Sequence, residues 1–261
     1  MSTQSLLETD RFDLDLFYRE HWRRRPVLWR GCGPRFLAPG LDWPDIEVLE
    51  GRLARTPQAE ESGAQVRRRP DGAVLFVNQA QHTLPELADA CAKLADLFGW
   101  DECTADLSVT RGSGAGIGCH FDHSDNFVVQ QQGSKTWLVG LPEHTASERQ
   151  RARMLETKGF VPSGRLPEEP YSAVLHPGDV LYLPLFAPHE GVEGEGSDGS
   201  VSVSFSCNAQ SALSRYLKPL LSALSREPAW WQPLPLGVPD VDRLEDALRR
   251  VLRTVTDASS P

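Results

Sequence analysis

Gly116-Ile117-Gly118-Cys119-His120-Phe121-Asp122-His123-Ser124-Asp125-Asn126-Phe127-Val128-Val129-Gln130-Gln131-Gln132-Gly133-Ser134-Lys135-Thr136-Trp137-Leu138 is the stretch on which the reading of this chain turns. If residues 120–122 are extended, the two-residue period of a strand puts the His120 imidazole and the Asp122 carboxylate on one face. Two donors held rigidly in this way suit a metal ion, although a His-x-Asp pair alone also describes a satisfied hydrogen bond inside a core. A third donor comes from Val180-Leu181-Tyr182-Leu183-Pro184-Leu185-Phe186-Ala187-Pro188-His189-Glu190-Gly191, where His189 follows a strongly strand-like run. Two histidines and one carboxylate on one side of an ion leave the opposite positions open, as in non-haem Fe(II) sites. His123 is the rival ligand, but it faces the other way in a regular strand. His82, His144 and His176 read as surface residues.

Lys135 strengthens the case. It is one of only four lysines, and it sits in a strand-like Lys-Thr-Trp-Leu-Val run after the Gly133 turn. A cation there is costly unless it meets an anion, and a dicarboxylate would be such an anion.

In order along the chain, Gly116 to Gly118, His120, Asp122, Asn126 to Gln132, Gly133, Lys135 and Trp137 resemble the first signature of the JmjC and cupin-like 2-oxoglutarate/Fe(II) oxygenases. Within that family the resemblance is to the ribosomal-protein oxygenases and the asparaginyl hydroxylase of hypoxia-inducible factor. Pro177-Gly178-Asp179-Val180-Leu181-Tyr182-Leu183-Pro184 with Pro188-His189-Glu190-Gly191 resembles the second signature. Ser202-Val203-Ser204-Phe205 resembles the closing strand of the barrel. Several motifs in the right order over residues 105–208 make the match specific where each alone would not.

The resemblance implies a mainly β fold with helices: a double-stranded β-helix of cupin or jelly-roll type, with flanking and C-terminal helices. It implies Fe(II) held by His120, Asp122 and His189. It further implies 2-oxoglutarate paired through Lys135, O2 as the co-reactant, and Asn126, Ser204 and Trp137 around the cosubstrate or the ligands. The implied reaction is hydroxylation of an amino-acid side chain, at the β-carbon, in a protein or ribosomally made peptide, with release of succinate and CO2. Lysine demethylation is the alternative within the family. A metal-binding cupin acting as isomerase or binding module is the alternative outside it, and an inactive scaffold is a third. Cupins of that second kind typically carry three His and a Glu, whereas this chain has His-x-Asp and Lys135. Two departures bear on substrate identity. Ile117 stands where the asparaginyl hydroxylase has a hydroxyl contact to the cosubstrate, and Leu185-Phe186-Ala187-Pro188 lacks the usual Gly-rich turn.

The chain of 261 residues, 40% hydrophobic, is long enough to bury one full core with a small appendage. A net charge of -9 argues against a nucleic-acid partner. No apolar run reaches membrane-spanning length and the N-terminus lacks a signal-peptide pattern, so no membrane partner and a bacterial cytoplasmic location are expected. Five cysteines without CxxC spacing read as free thiols.

Residues 1–208 are expected to form the catalytic domain, with its core at 105–208 and an insertion at 142–170. That insertion carries a helical piece, Ala146 to Thr157, and is either a substrate lid or a surface excursion. Phe12 to Trp29 reads as a short helix then a strand, and Arg23-Arg24-Arg25 as a solvated turn. A helical piece from Trp43 to Leu53 follows, then a hairpin around Asp71-Gly72. Leu84 to Phe98 reads as an amphipathic helix opened by Pro85. Gly112 to Gly118 is expected to be a flexible approach to the metal, and Glu193 to Ser200 a mobile acidic loop. Residues 209–261 should form a C-terminal helical region, with helices at Ser211 to Arg226 and Val241 to Val255. It either mediates a homodimer or folds back on the same chain.

Overall fold

The computed structural model describes residues 3–33, 65–68, 74–100, 102–111, 114–122, 124–145, 165–193, 199–207, 220, 222–226, 245–246 and 248–253. Two antiparallel-dominated sheets face each other. The smaller has five strands: β1 (Gln4–Ser5), β7 (Gly114–Ala115), β9 (Lys135–Val139), β10 (Tyr171–Leu175) and β12 (His189–Glu193), in the order β1-β10-β9-β12-β7. The larger contains β2 (Glu8–Thr9), β3 (Val27–Trp29), β4 (Gln65–Arg68), β5 (Val74–Asn78), β6 (Cys103–Thr110), β8 (Asp125–Gln132), β11 (Val180–Leu183) and β13 (Ser200–Cys207). Its order is β2-β3-β11-β8-β13-β6-β5-β4. This is the double-stranded β-helix expected from the motifs.

The alternation of side chains along each strand sorts them into two clusters. Leu28, Val128, Leu181 and Leu183 of the large sheet meet Trp137, Val139, Ala173 and Leu175 of the small one between the sheets. The outer face of the large sheet carries Phe127, Val129, Tyr182, Val203 and Phe205. Helix α2 (Pro85–Phe98) and an N-terminal aromatic segment cover it. The 3.6-residue period of α2 buries Leu87, Ala90, Cys91, Leu94 and Phe98 on one stripe. Pro85 sits in its first turn and Gly99 ends it in the left-handed conformation. Fully burying a side chain of this size stabilises by about 1.5–3 kcal/mol.

The N-terminal segment differs from a plain helix. Only α1 (Leu14–Leu16) is α-helical, and Phe17–His21 continues as a π turn. That widening delivers Phe17 into a ring cluster with Trp29, Phe98, Phe127 and Tyr182. Arg23 also departs from expectation. The expected turn is present and exposes Arg24 and Arg25, but the Arg23 Nε turns inward to lie 3.1 Å from the buried Asp125 carboxylate. The expected hairpin is formed by β4 and β5. Gly114–Ala115 is a strand paired to β12 rather than a flexible approach.

The insertion opens with a 3-10 turn at Pro142–His144. The helical pieces expected at Trp43 to Leu53 and Ala146 to Thr157, the tip of the acidic loop and His123 lie outside the described residues. His82, His144 and His176 are exposed, and all five cysteines are free thiols. Among the described residues no helix is long and apolar enough to cross a membrane. The chain divides into two compact units, 1–209 and 210–261. Within the second, residues 220, 222–224, 245–246 and 248–253 are helical and 225–226 form a turn, and the rest of the two expected C-terminal helices lies outside the described residues.

Candidate metal centre

His120 and His189 come from segments 69 positions apart, and backbone pairing brings them together. His120 N donates to His189 O at 3.0 Å and His189 N to His120 O at 2.7 Å, an isolated bridge between the strand ends. The imidazole centroids are 4.2 Å apart. Asp122 follows two residues on, with its oxygens 3.9 Å from His120 Nε2 and 3.5 Å from His189 Nε2. One ligand atom from each residue lies within 4.8 Å of the others, the one such cluster of three among the described residues.

The protonation of this cluster follows from its partners. His120 Nδ1 lies 2.8 Å from Gly118 O, and His189 Nδ1 lies 2.9 Å from Ala187 O. A carbonyl only accepts, so both Nδ1 atoms carry a proton, which leaves Nε2 as the nitrogen of each ring able to offer a lone pair. Burial, then the neighbouring His120, pushes the His189 pKa down to about 4 against the opposing pull of Asp122. His189 is therefore held neutral, and its Nε2 lone pair faces the Asp122 side chain. Acceptors so arranged repel unless a cation lies among them.

Asn126 orients the carboxylate. Its Oδ1 accepts from Ser206 Oγ at 2.6 Å and Ser124 Oγ at 3.3 Å, so its amide N–H group is turned to Asp122 Oδ2. The sequence expectation of Asn126 beside the ligands matches this placement. Ser204 lies on the same inner face, across from Val128 and Asp106, while Ser206, two residues on, touches Asn126.

Lys135 is 4% exposed, and its Nζ donates to Thr110 Oγ1 at 2.9 Å. On β9 it is four residues from Val139, which pairs with His189 across to β12. That separation is roughly 13 Å of strand. Trp137 lies midway on the same face, opposite Gly191, with its ring 5.9 Å from that of His189 and 5.9 Å from Lys135 Nζ. Gly191 leaves room opposite it: a Cβ there would come within 2.9 Å of Lys135 Cε and 3.4 Å of Trp137 Cε2. Trp137 Nε1 is buried without a hydrogen-bond partner. An orphan donor of this kind costs about 1–3 kcal/mol unless a ligand or water accepts from it.

Sequence reasoning missed Thr110, Ser124, Ser206 and Asp125. The first three are small hydroxyl residues with no local signature. Asp125 sits inside the motif and was passed over. It is fully buried and partnered by Arg23, Tyr182 and Leu185 N. Burial raises its pKa, and Arg23, Tyr182 and the Leu185 N–H oppose the rise.

Residues 77–214 match the model of the JmjC domain. Among curated relatives, the ribosomal protein uL16 3-hydroxylase of Escherichia coli strain K12 is 25% identical over 201 residues, 67% of this chain and 48% of that protein. The bifunctional lysine-specific demethylase and histidyl-hydroxylase NO66 of Drosophila willistoni is 29% identical over 250 residues, 85% of this chain and 31% of that protein. The chain thus spans less than half the length of these relatives. In fold it resembles Escherichia coli YcfD, a ribosomal oxygenase. For the YcfD X-ray structure the TM-score is 0.62 at 20% identity, covering 100% of this chain and 70% of YcfD. For the YcfD complex with cobalt and 2-oxoglutarate it is 0.61 at 20% identity, covering 95% and 68%.

Proposed function

The chain belongs to the JmjC-domain family, and on that premise we propose that it is an Fe(II)- and 2-oxoglutarate-dependent oxygenase hydroxylating a side chain of a protein or ribosomally made peptide. The observation that carries this reading is the meeting of His120 Nε2, His189 Nε2 and an Asp122 oxygen within 4.8 Å of one another, with buried Lys135 farther along the same sheet face.

The donor set fits Fe(II): two neutral imidazoles and one carboxylate leave room for further ligands. The lumen also fits a five-carbon dicarboxylate. It offers a buried ammonium, an orphan indole N–H, and a floor at Gly191 that a side chain would fill. When bound, the metal and cosubstrate supply the oxidation that puts one oxygen atom of O2 into a C–H bond, with succinate and CO2 released.

The chain's own residues do the rest. His120, Asp122 and His189 hold the ion, and the Gly118 and Ala187 carbonyls keep both imidazoles in the ligating tautomer. Asn126 sets the plane of the Asp122 carboxylate. Lys135, backed by Thr110, binds the distal carboxylate where burial strengthens the ion pair. Trp137 donates to the same ligand, and Ser204 contacts it from the large sheet. The apolar wall of Val128, Leu181 and Leu183 keeps water from the rest of the lumen.

A β-carbon target is supported by the name of the uL16 3-hydroxylase relative, since position 3 of an amino acid is its β-carbon. A ribosomal-type substrate would place the protein in the cytoplasm. The second reading, removal of an N-methyl group, is supported by the demethylase named among the NO66 relatives. Mass spectrometry separates the two: a candidate peptide gains one oxygen or loses one methyl group.

Anaerobic titration of Fe(II) and 2-oxoglutarate into apo-protein tests the site. A visible metal-to-ligand charge-transfer band should appear, be absent in Asp122→Ala, and require at least ~30-fold more cosubstrate in Lys135→Ala, the low end of the cost of unpairing a buried charge. No band in folded wild type would leave the metal-binding or scaffold readings.

A further inference from the structure

Asp125 is a buried carboxylate for which the proposed chemistry has no use. It opens β8 three residues after Asp122 and faces the aromatic cluster, while its neighbour Asn126 faces the ligands. Three donors from separate segments converge on it. Tyr182 OH at 2.7 Å and Leu185 N at 3.1 Å reach Oδ1, and Arg23 Nε at 3.1 Å reaches Oδ2. The Tyr182 oxygen in turn accepts from Arg23 N at 2.9 Å.

Leu185 begins the loop that leads to His189, and that loop is strained. Phe186 stands at φ 67, a conformation that bulky L residues rarely adopt and that persists only where neighbours over-determine it. Here they do. Leu185 N is held by Asp125, Phe186 N donates to Asp122 O at 3.1 Å, and Ala187 N closes back on Pro184 O at 2.9 Å. The Ala187 carbonyl then accepts the His189 Nδ1 proton. One four-residue turn, fastened at each step, connects the Asp125 carboxylate to the imidazole ring.

We propose that Asp125 is a positioning residue: ion-paired to Arg23, it holds the strained 184–187 turn in the conformation that presents His189 Nε2 to the metal. The proposal rests on reading His120, Asp122 and His189 as the metal site. It acts through backbone geometry, so its effect falls on metal affinity rather than on stability alone.

The test uses the full chain as apo-protein, titrated anaerobically with Co(II) and followed by its visible absorption. Four variants accompany the wild type: Asp125→Asn, Tyr182→Phe, Phe186→Gly and the Asp125→Asn/Phe186→Gly double variant. Asp125→Asn should bind about 10-fold more weakly or worse, the range seen for groups that orient ligands. Tyr182→Phe should shift in the same direction by less. The double variant should recover most of the loss, because glycine takes a positive φ without strain and no longer needs the clamp.

A residue that only stabilised the fold would lower the thermal midpoint and leave the Co(II) affinity of folded molecules unchanged. Wild-type affinity in Asp125→Asn, or a loss that Phe186→Gly fails to repair, overturns the proposal while the metal-site reading stands. Wild type that takes up no Co(II) overturns both. Should Asp125→Asn not fold, Tyr182→Phe decides: weakened binding supports the proposal and unchanged binding overturns it.

Discussion

Asp122 and Asp125 are three residues apart in the chain and opposite in surroundings. The Asp125 carboxylate has no exposed surface and meets a guanidinium, a phenol and a backbone N–H among aromatic rings. The Asp122 side chain is 28% exposed and faces the Nε2 atoms of two imidazoles whose Nδ1 atoms contact backbone carbonyls. Asp125 opens β8 on the face it shares with Phe127, whereas Asp122 lies three residues before it, outside the strand. Every donor around Asp125 has an acceptor, which marks an anchor of the fold. Around Asp122 one amide donates, two imidazole Nε2 atoms lie within 3.9 Å, and an indole N–H nearby has no partner, which is the arrangement the proposed ligand site rests on.

The contrast can be broken from either side. The largest effect is expected from Asp122→Ala, which should abolish Co(II) binding in an equilibrium titration while the far-UV spectrum stays native. Binding that survives would make the three acceptors a core arrangement rather than a site. On the other face, Phe17→Ala removes a fully buried ring and should cost about 3–5 kcal/mol in denaturant unfolding, with metal affinity of the folded protein retained. A parallel drop in affinity would show that the two faces are not separable.

Acid supplies the next test. The folded pKa of His189, about 4, lies below its ordinary 6.5. Between those values the unfolded chain binds the proton and the folded chain does not, so stability rises with pH across that window and falls as pH drops from 6.5 toward 4. The loss from this group is on the order of 3 kcal/mol, from about 1.36 kcal/mol per pH unit. Buried His21, whose pKa is also lowered by burial and by Arg25, adds to it in the same sense. Urea midpoints of apo-protein from pH 7 to 4.5 measure the slope, and His189→Gln should flatten it. The smallest effect is expected from Trp137→Phe. Losing one neutral hydrogen bond should weaken 2-oxoglutarate binding about 5-fold in calorimetry and leave metal affinity alone. Unchanged cosubstrate affinity would mean that the indole N–H serves no ligand.

Much of this was legible in the residues. The fold and the third member, His189, followed from the family resemblance that the ordered motifs carry, whereas the pairing of His120 with Asp122 followed from a strand's two-residue period, which is local. Lys135 was conspicuous as a rare cation in an apolar run. The motif points to Asn126 around the cosubstrate or the ligands, whereas its hydroxyl partner Ser206 has no local signature. Arg23 was assigned to solvent because three arginines in a row look solvated, and nothing nearby in sequence announces a carboxylate 102 positions away. Phe186 could not be read as strained, since a positive φ has no signature in a non-glycine residue.

By itself, then, the sequence determined the main strands, the faces on which their side chains lie, and the three candidate ligands. These depend on spacing within a segment and on the chemistry of single side chains. Only the tertiary structure decided which distant groups meet: Thr110 under Lys135, Ser206 against Asn126, Arg23 on Asp125. Such pairs are set by the register of strands brought together from far apart. A hydroxyl or a guanidinium has many partners open to it until that register selects one.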